Sequence, residues 1–314
     1  MNRIYRLIWS SLLNTWVAAA ENTRGRGKST RSTAGTLLCA SALFSMPVIA
    51  APPLPTQLPT GGQVAAGQVV ISQSGATMDV TQASVRGVIN WNTFNVGAAA
   101  QVNFKQPSAG SVTLNRVLDS NASKIYGRIT ANGQVFLTNP NGVYFSPGSS
   151  ADVGAMVATT HSISDADFMA GKSTFSRNGA TGSVINEGNL KAALGGYIAL
   201  LAPEVRNNGV IIAQMGTVVM AAGESISIHF DSNNTLAGIT VTPSQIKALV
   251  ENKQAVMAPG GLIILSAMAA NSLQGGVVNN AGRLEATGMT MRGGKIVLEA
   301  SSRIENSGTI NANA

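Results

Sequence analysis

From residue 67 onward, apolar and polar positions alternate in short runs, as over 68–72, 77–81, 86–91, 101–105 and 111–117, and the runs are separated by segments bearing Gly, Asn and Ser. Alternation of period two is the mark of pleated strands, and no stretch here holds a helical period. The clearest unit is 134–145. Val135 and Leu137 alternate with Gln134, Phe136 and Thr138, Asn139-Pro140-Asn141-Gly142 follows, and Val143 and Phe145 resume the pattern. Pro140 presets φ for the first central residue of a turn, Asn141 tolerates an unusual φ at the second, and Gly142 suits the closing position. The side chain of Asn139 can bond back to the amides of its own turn.

Past residue 153 the pattern repeats. Val184-Ile185-Asn186-Glu187-Gly188-Asn189-Leu190-Lys191-Ala192 matches 205–213, 250–258, 278–286 and 304–312, with Gln254 in place of one glycine. The repeated asparagines are Asn186, Asn207, Asn252, Asn280 and Asn306, and the interval from Asn207 to Asn252 is much the longest. A second half-repeat, Gly196-Tyr197-Ile198-Ala199-Leu200-Leu201-Ala202, recurs at 216–222, 261–267 and 294–300. Each unit reads as two short strands joined by Gly- or Asn-bearing corners. A period near 20 without helices predicts a parallel β-helix, in which Val184, Leu190, Ile198 and Leu200 stack as ladders inside the coil. The asparagines are expected to stack likewise, each bonding to the next rung. About twelve rungs at ~4.8 Å would make a rod ~60 Å long.

The long interval between Asn207 and Asn252 holds an insertion at about 223–249, predicted as a hairpin followed by a short helical turn near 244–250. A second loop is expected at 174–182, after Asp165 and Asp167. Thr217 is predicted to face outward, and His229 lies on the polar face of its alternating strand.

Residues 1–50 read as an address rather than a fold. Arg24, Arg26, Lys28 and Arg31 precede an apolar segment, 34–46, of signal-peptide length and too short to span a bilayer as a helix. Val48-Ile49-Ala50 gives acceptable cleavage positions, so the cut is placed between Ala50 and Ala51. Pro52, Pro53, Pro55, Gly61 and Gly62 mark 51–66 as an extended, mobile leader.

Removing the signal changes the charge picture. Residues 1–50 hold six of the 21 Lys+Arg and one of the 14 Asp+Glu, so the remaining chain carries 15 and 13, a net of +2 rather than +7. A basic surface for nucleic acid is not supported. The single cysteine, Cys39, falls within the apolar core of the signal, so the mature chain must hold together without a disulfide.

Four runs upstream of the turn stand in a particular order. They are Ile89-Asn90-Trp91-Asn92-Thr93-Phe94-Asn95-Val96-Gly97, Val102-Asn103-Phe104-Lys105-Gln106-Pro107-Ser108, Leu114-Asn115-Arg116-Val117 and Ile125-Tyr126-Gly127-Arg128-Ile129-Thr130-Ala131-Asn132-Gly133. Ending in Asn139-Pro140-Asn141-Gly142, that order resembles the secretion domain of filamentous-haemagglutinin-like exoproteins, the exported half of two-partner secretion systems. The branch of high-molecular-weight adhesins, which carries Asn-Pro-Asn-Gly, is the most similar. The first residues, with Tyr5, Trp9 and Trp16, are similar to the extended signal region of such exoproteins and of autotransporters.

The resemblance implies an all-β fold, a right-handed parallel β-helix with an N-terminal cap and extra-helical hairpin insertions. It divides the chain into an extended signal peptide (1–50), a leader (51–66), a secretion domain with cap and first rungs (67–175) and β-helix repeats (176–314). It also implies that Asn115, Arg116, Asn139, Pro140, Asn141 and Gly142 serve secretion and recognition. The implied partner is an outer-membrane β-barrel transporter with periplasmic recognition domains. The implied destination is the medium or the cell surface of a Gram-negative bacterium, reached through the periplasm.

Three functions compete. The first is a filamentous-haemagglutinin-type adhesin, meeting a host-cell receptor or glycan through regions beyond Ala314. The second is the delivery stick of a contact-dependent toxin, a cytolysin or a haem-acquisition exoprotein sharing this front end. The third, a polysaccharide-active β-helix enzyme, would need clustered acids or bases on one rung face. His161 and His229 are far apart in the sequence and match no metal-ligand spacing, and the repeats bring no recurring acid pair. The chain therefore reads as a non-enzyme with no cofactor.

Overall fold

A computed structural model describes residues 5–10, 15–20, 51–231, 235–271, 275–288 and 293–313. Contacts divide the chain into two units, Met1–Ile49 and Ala50–Ala314. In the first, Tyr5–Ser10 pairs antiparallel with Thr15–Ala20. The apolar segment 34–46, Cys39 and Ala50 lie outside the described residues.

The second unit is a parallel β-helix with three strands per turn rather than two. Its faces are sheets of ten, nine and seven strands, here called A, B and C. One turn runs Asn189–Ala192 in sheet A, Tyr197–Leu201 in sheet B and Glu204–Asn207 in sheet C. The Val-x-Asn repeat therefore straddles a corner, with its front half in sheet C and its back half in sheet A. Because three strands are spent on each turn, the rod is shorter than expected. Ten strands in sheet A give ~43 Å at ~4.8 Å per step.

The predicted ladders form inside the coil. Val184 stacks on Val205, then Val250 and Val278, and Leu200 sits between Ala158 and Met220. All of these are fully buried. The asparagines form a continuous amide chain at the corner between sheets C and A. Asn186 Nδ2 donates to Asn207 Oδ1 at 2.8 Å, Asn207 to Asn252 at 2.8 Å, Asn252 to Asn280 at 2.8 Å and Asn280 to Asn306 at 2.7 Å. Each amide thus meets the partner that a buried polar group requires. At the next corner the column Gly196, Gly216 and Gly261 stacks so closely that a Cβ on Gly216 would run into the carbonyl oxygen of Gly196.

The leader is seated rather than free. Lys124 Nζ donates to Ala51 O at 2.7 Å, Gly97 N to Gln57 O at 2.8 Å and Ala99 N to Pro55 O at 2.8 Å, while Leu58 enters the core. Gln63–Ala66 then runs antiparallel to Arg86–Trp91, and Val69–Ser74 antiparallel to Thr77–Gln82. These reversed strands cover the first turn, a solution to the open edge of a solenoid. Trp91 and Phe94 meet edge-on at 5.5 Å beneath them.

Sheet B carries apolar residues on both faces, and from Val88 to Ile264 those of its outer face are buried or half-buried. Asp165–Met169 is a short helix, and the loop expected at 174–182 opens with a strand, Thr174–Ser176, before running irregularly over 177–182; Ser164 Oγ accepts from Asp167 N at 3.1 Å and caps the helix, with Asp165 and Asp167 in its first turn. Thr174–Ser176 pairs antiparallel with Ser225–Phe230, which pairs antiparallel with Leu236–Thr242. Phe168, Phe175, Ile226, Ile228 and Leu236 pack on Phe136, Val157, Ala199 and Val219 as a second core outside the coil.

Two expectations fail here. Thr217 does point away from the coil, but the hairpin lies over it: it is buried, and its Oγ1 donates to Leu236 O at 2.7 Å. The helical turn near 244–250 is absent. Ala248–Asn252 is a strand, because Val250 and Asn252 occupy ladder positions that demand extended backbone. His229 is exposed, as its place in the alternation predicts, and its Nε2 lies 2.8 Å from Thr240 Oγ1.

Candidate functional site

The Asn139-Pro140-Asn141-Gly142 turn is a corner of the coil, between Gln134–Thr138 in sheet B and Val143–Phe145 in sheet C. Gly142 N donates to Asn139 O at 2.9 Å, and Asn141 N to Asn139 Oδ1 at 2.9 Å. The unusual backbone falls on Gly142, with φ +121°, and not on Asn141. A Cβ on Gly142 would also crowd Ser183 O, so the closing position belongs to glycine.

The corner is tied to both neighbouring turns. Asn139 Nδ2 reaches back to Asn121 O and to Ser123 Oγ, each at 3.0 Å, and Ser123 N donates to Gly142 O at 3.0 Å. Ahead, Asn139 N donates to Thr159 O at 3.0 Å and Gly182 N to Pro140 O at 3.2 Å. Asn139 and Gly142 are buried, whereas Pro140 and Asn141 are exposed, and Asn141 Nδ2 donates to Asp119 O at 2.7 Å.

Asn115 and Arg116 belong to the adjacent strand Val112–Val117, in register with Leu137 and Thr138. The fold therefore gathers all six sequence-selected residues at one end of sheet B, but it gives them different environments. Asn115 points into the coil, accepts from Trp91 Nε1 at 3.0 Å and donates to Phe136 O at 3.2 Å. Arg116 points outward, donates to Ile163 O at 2.8 Å and pairs with Asp165 at 2.6 Å, holding the short helix to the coil. Asn115 and Asn139 are buried and make their bonds within the fold. A partner meeting the folded chain would find Pro140 and Asn141.

His161 is a buried polar residue that sequence reasoning dismissed. Its Nε2 lies 2.9 Å from Gly223 O, at the neck of the hairpin, and burial holds its pKa below the usual histidine value of 6.5. Nearby, Arg177 Nε pairs with Glu224 Oε2 at 2.8 Å. A histidine buried neutral contributes its full stability above the unfolded value, and that stability is lost as pH falls through 6.5 toward the folded value. The unfolding temperature should therefore fall between about pH 7 and pH 5, before carboxylates titrate, and His161→Gln should flatten that slope. An unchanged slope in the variant would assign the effect elsewhere.

The family model described as the TPS secretion domain matches residues 56–312, and that of the Extended Signal Peptide of Type V secretion system matches residues 1–50. A heme/hemopexin-binding protein of Haemophilus influenzae is 32% identical over 250 residues, covering 77% of this chain and 27% of that protein. The autotransporter adhesin NhhA of Neisseria meningitidis is 47% identical over 45 residues, 14% of this chain and 8% of that protein. The crystal structure of the HMW1 secretion domain from Haemophilus influenzae superposes with a TM-score of 0.68 at 25% identity, covering 81% of this chain and 73% of that one.

Proposed function

Because this chain belongs to the family of TPS secretion domains and begins with the extended signal peptide of type V secretion, we propose that residues 51–314 direct an exoprotein through an outer-membrane β-barrel transporter with periplasmic recognition domains. The chain is exported through the periplasm and is secreted, or held at the cell surface, in a Gram-negative bacterium. Its relatives are secretion domains and haem-binding exoproteins rather than enzymes, and the reading assigns it no catalysis. The chain spans 27% of the length of the heme/hemopexin-binding relative. The exoprotein's own activity is accordingly part of the proposal: adhesion of the filamentous-haemagglutinin type, by contact with a host receptor or glycan. The name of that relative favours haem acquisition as the second reading.

Within this reading the division into 1–50, 51–66, 67–175 and 176–314 is retained, with signal cleavage between Ala50 and Ala51. N-terminal sequencing of secreted protein should begin at Ala51; a start before Pro47 contradicts the assignment.

The observation that carries the recognition reading is that the fold hides Asn115, Asn139 and Gly142, so that all six residues are accessible together only before the chain folds. Asn139 is bonded into the fold on both sides, while Pro140 and Asn141 remain at the surface. An unfolded chain in the periplasm offers all six residues in extended form, suited to adding a strand to a sheet edge of the transporter's periplasmic domain. Asn139→Ala with Asn141→Ala should leave signal cleavage intact and reduce extracellular protein at least tenfold, the cleaved chain being degraded in the periplasm. Secretion of the double variant at the wild-type level would reduce the turn to structural punctuation.

A further inference from the structure

We propose that the antiparallel sheet outside the coil is a clasp, and that its closure commits an emerging chain to the far side of the outer membrane. The proposal rests on the export reading above. Thr174–Ser176 leaves the coil before Ser183–Asn186, whereas its partner strand Ser225–Phe230 follows Thr217–Ala222. Six coil strands, from Ser183–Asn186 to Thr217–Ala222, lie between the two halves in the chain. The pairing of Phe175 with Ile226 is therefore impossible until all six have emerged, and winding them is what brings the two halves together over sheet B.

The contacts at the junction are specific. Arg177 N donates to Glu224 O at 2.8 Å beside the Arg177–Glu224 ion pair, and Ile228 N donates to Ser173 O at 3.0 Å. His161 Nε2 meets Gly223 O at 2.9 Å, and Tyr197 in the coil meets Phe230 of the hairpin with ring centroids 5.5 Å apart. Before the hairpin strands arrive, the outer face of sheet B, with Ala199, Leu201, Val219 and Ala221, lacks the cover of Ile226, Ile228 and Leu236. Apolar surface left in water favours neither the coil nor its advance.

The physical consequence concerns cooperativity. In a solenoid each turn is held only by its neighbours, so a growing end can unwind one turn at a time. A sheet that joins strands on either side of two intervening turns makes everything from Ser162 to Thr242 open together or not at all. An unclasped chain can slip back through a pore; a clasped one cannot without unfolding the whole segment. Residues that touch no transporter thereby control how efficiently export completes.

Two measurements on the full chain test this. Phe175→Asp, co-expressed with the transporter, should keep normal signal cleavage and lower extracellular protein at least tenfold. Secretion of folded variant at the wild-type level overturns the proposal. Hydrogen exchange on purified, refolded Phe175→Asp protein needs no transporter and separates a clasp from a general folding defect. Amides in 183–222 should lose at least tenfold in protection, while those in 77–145 keep wild-type values. Loss spread evenly over the chain, or no loss in 183–222, overturns the clasp. If wild-type protein itself stays in the cell, the export reading fails, and the exchange pattern still decides whether the clasp exists.

Discussion

Leu200→Asp should abolish the β-helix as a folded, protease-resistant rod. Leu200 is fully buried in the apolar core of the coil, between Ala158 and Met220. An unpaired charge there costs about 5 kcal/mol or more, comparable with the whole stability of many domains. Ile263→Asp, one ladder over, should do the same. The control is Asn189→Asp, exposed on the outer face of sheet A, which should leave circular dichroism and trypsin resistance unchanged. Thr217 is unsuitable for that purpose, since the hairpin seals it. Equal damage from Leu200→Asp and Asn189→Asp would mean that the inward and outward faces are misassigned.

Asn207→Leu should cost about 2–4 kcal/mol, because it strands buried groups on both sides of the amide ladder. Asn186 Nδ2 would lose its acceptor, and Asn252 Oδ1 and Gly209 N would lose their partners. At the exposed end, Asn306→Leu breaks a single inter-turn bond, from Asn280 Nδ2, and should cost about 1 kcal/mol. Denaturant midpoints of the two variants give the comparison. Equal midpoints would show that the amides do not act as a buried ladder.

Much of this architecture was legible because period two and the Asn repeat each have one physical cause. An inward side chain every second residue makes Val184, Leu190 and Leu200 recur, and a buried amide needs a like amide on the next turn. Asn186, Asn207 and Asn252 announce that requirement in the sequence. The count of strands per turn was not legible, because the Val-x-Asn-x-Gly motif reads as one strand while a corner divides it at Gly188.

The clasp was missed for a different reason. Tyr197-Ile198-Ala199-Leu200-Leu201 is apolar at every position, and an unbroken apolar run marks a strand covered on both faces. Only one face was assigned to a core. Alternation predicts the hairpin within 223–249, but its docking on Thr217 and its pairing with Phe175 depend on contacts between segments distant in the chain, which alternation does not encode. The candidate site divides in the same way. Local turn chemistry identified 139–142, yet only the fold shows that Asn139 is tied to Ser123 and that Asn115 faces inward to Trp91.

The most direct test of the account is where the protein goes. The full chain, from Met1, should be expressed in a Gram-negative host with and without an outer-membrane β-barrel transporter of a two-partner secretion system, and the medium assayed for protein that starts at Ala51. Folded, protease-resistant β-helix is expected in the medium only when the transporter is present, and a cleaved, degraded chain in the periplasm when it is absent. Release at the same level without the transporter, or folded protein retained in the periplasm with it, would contradict the account.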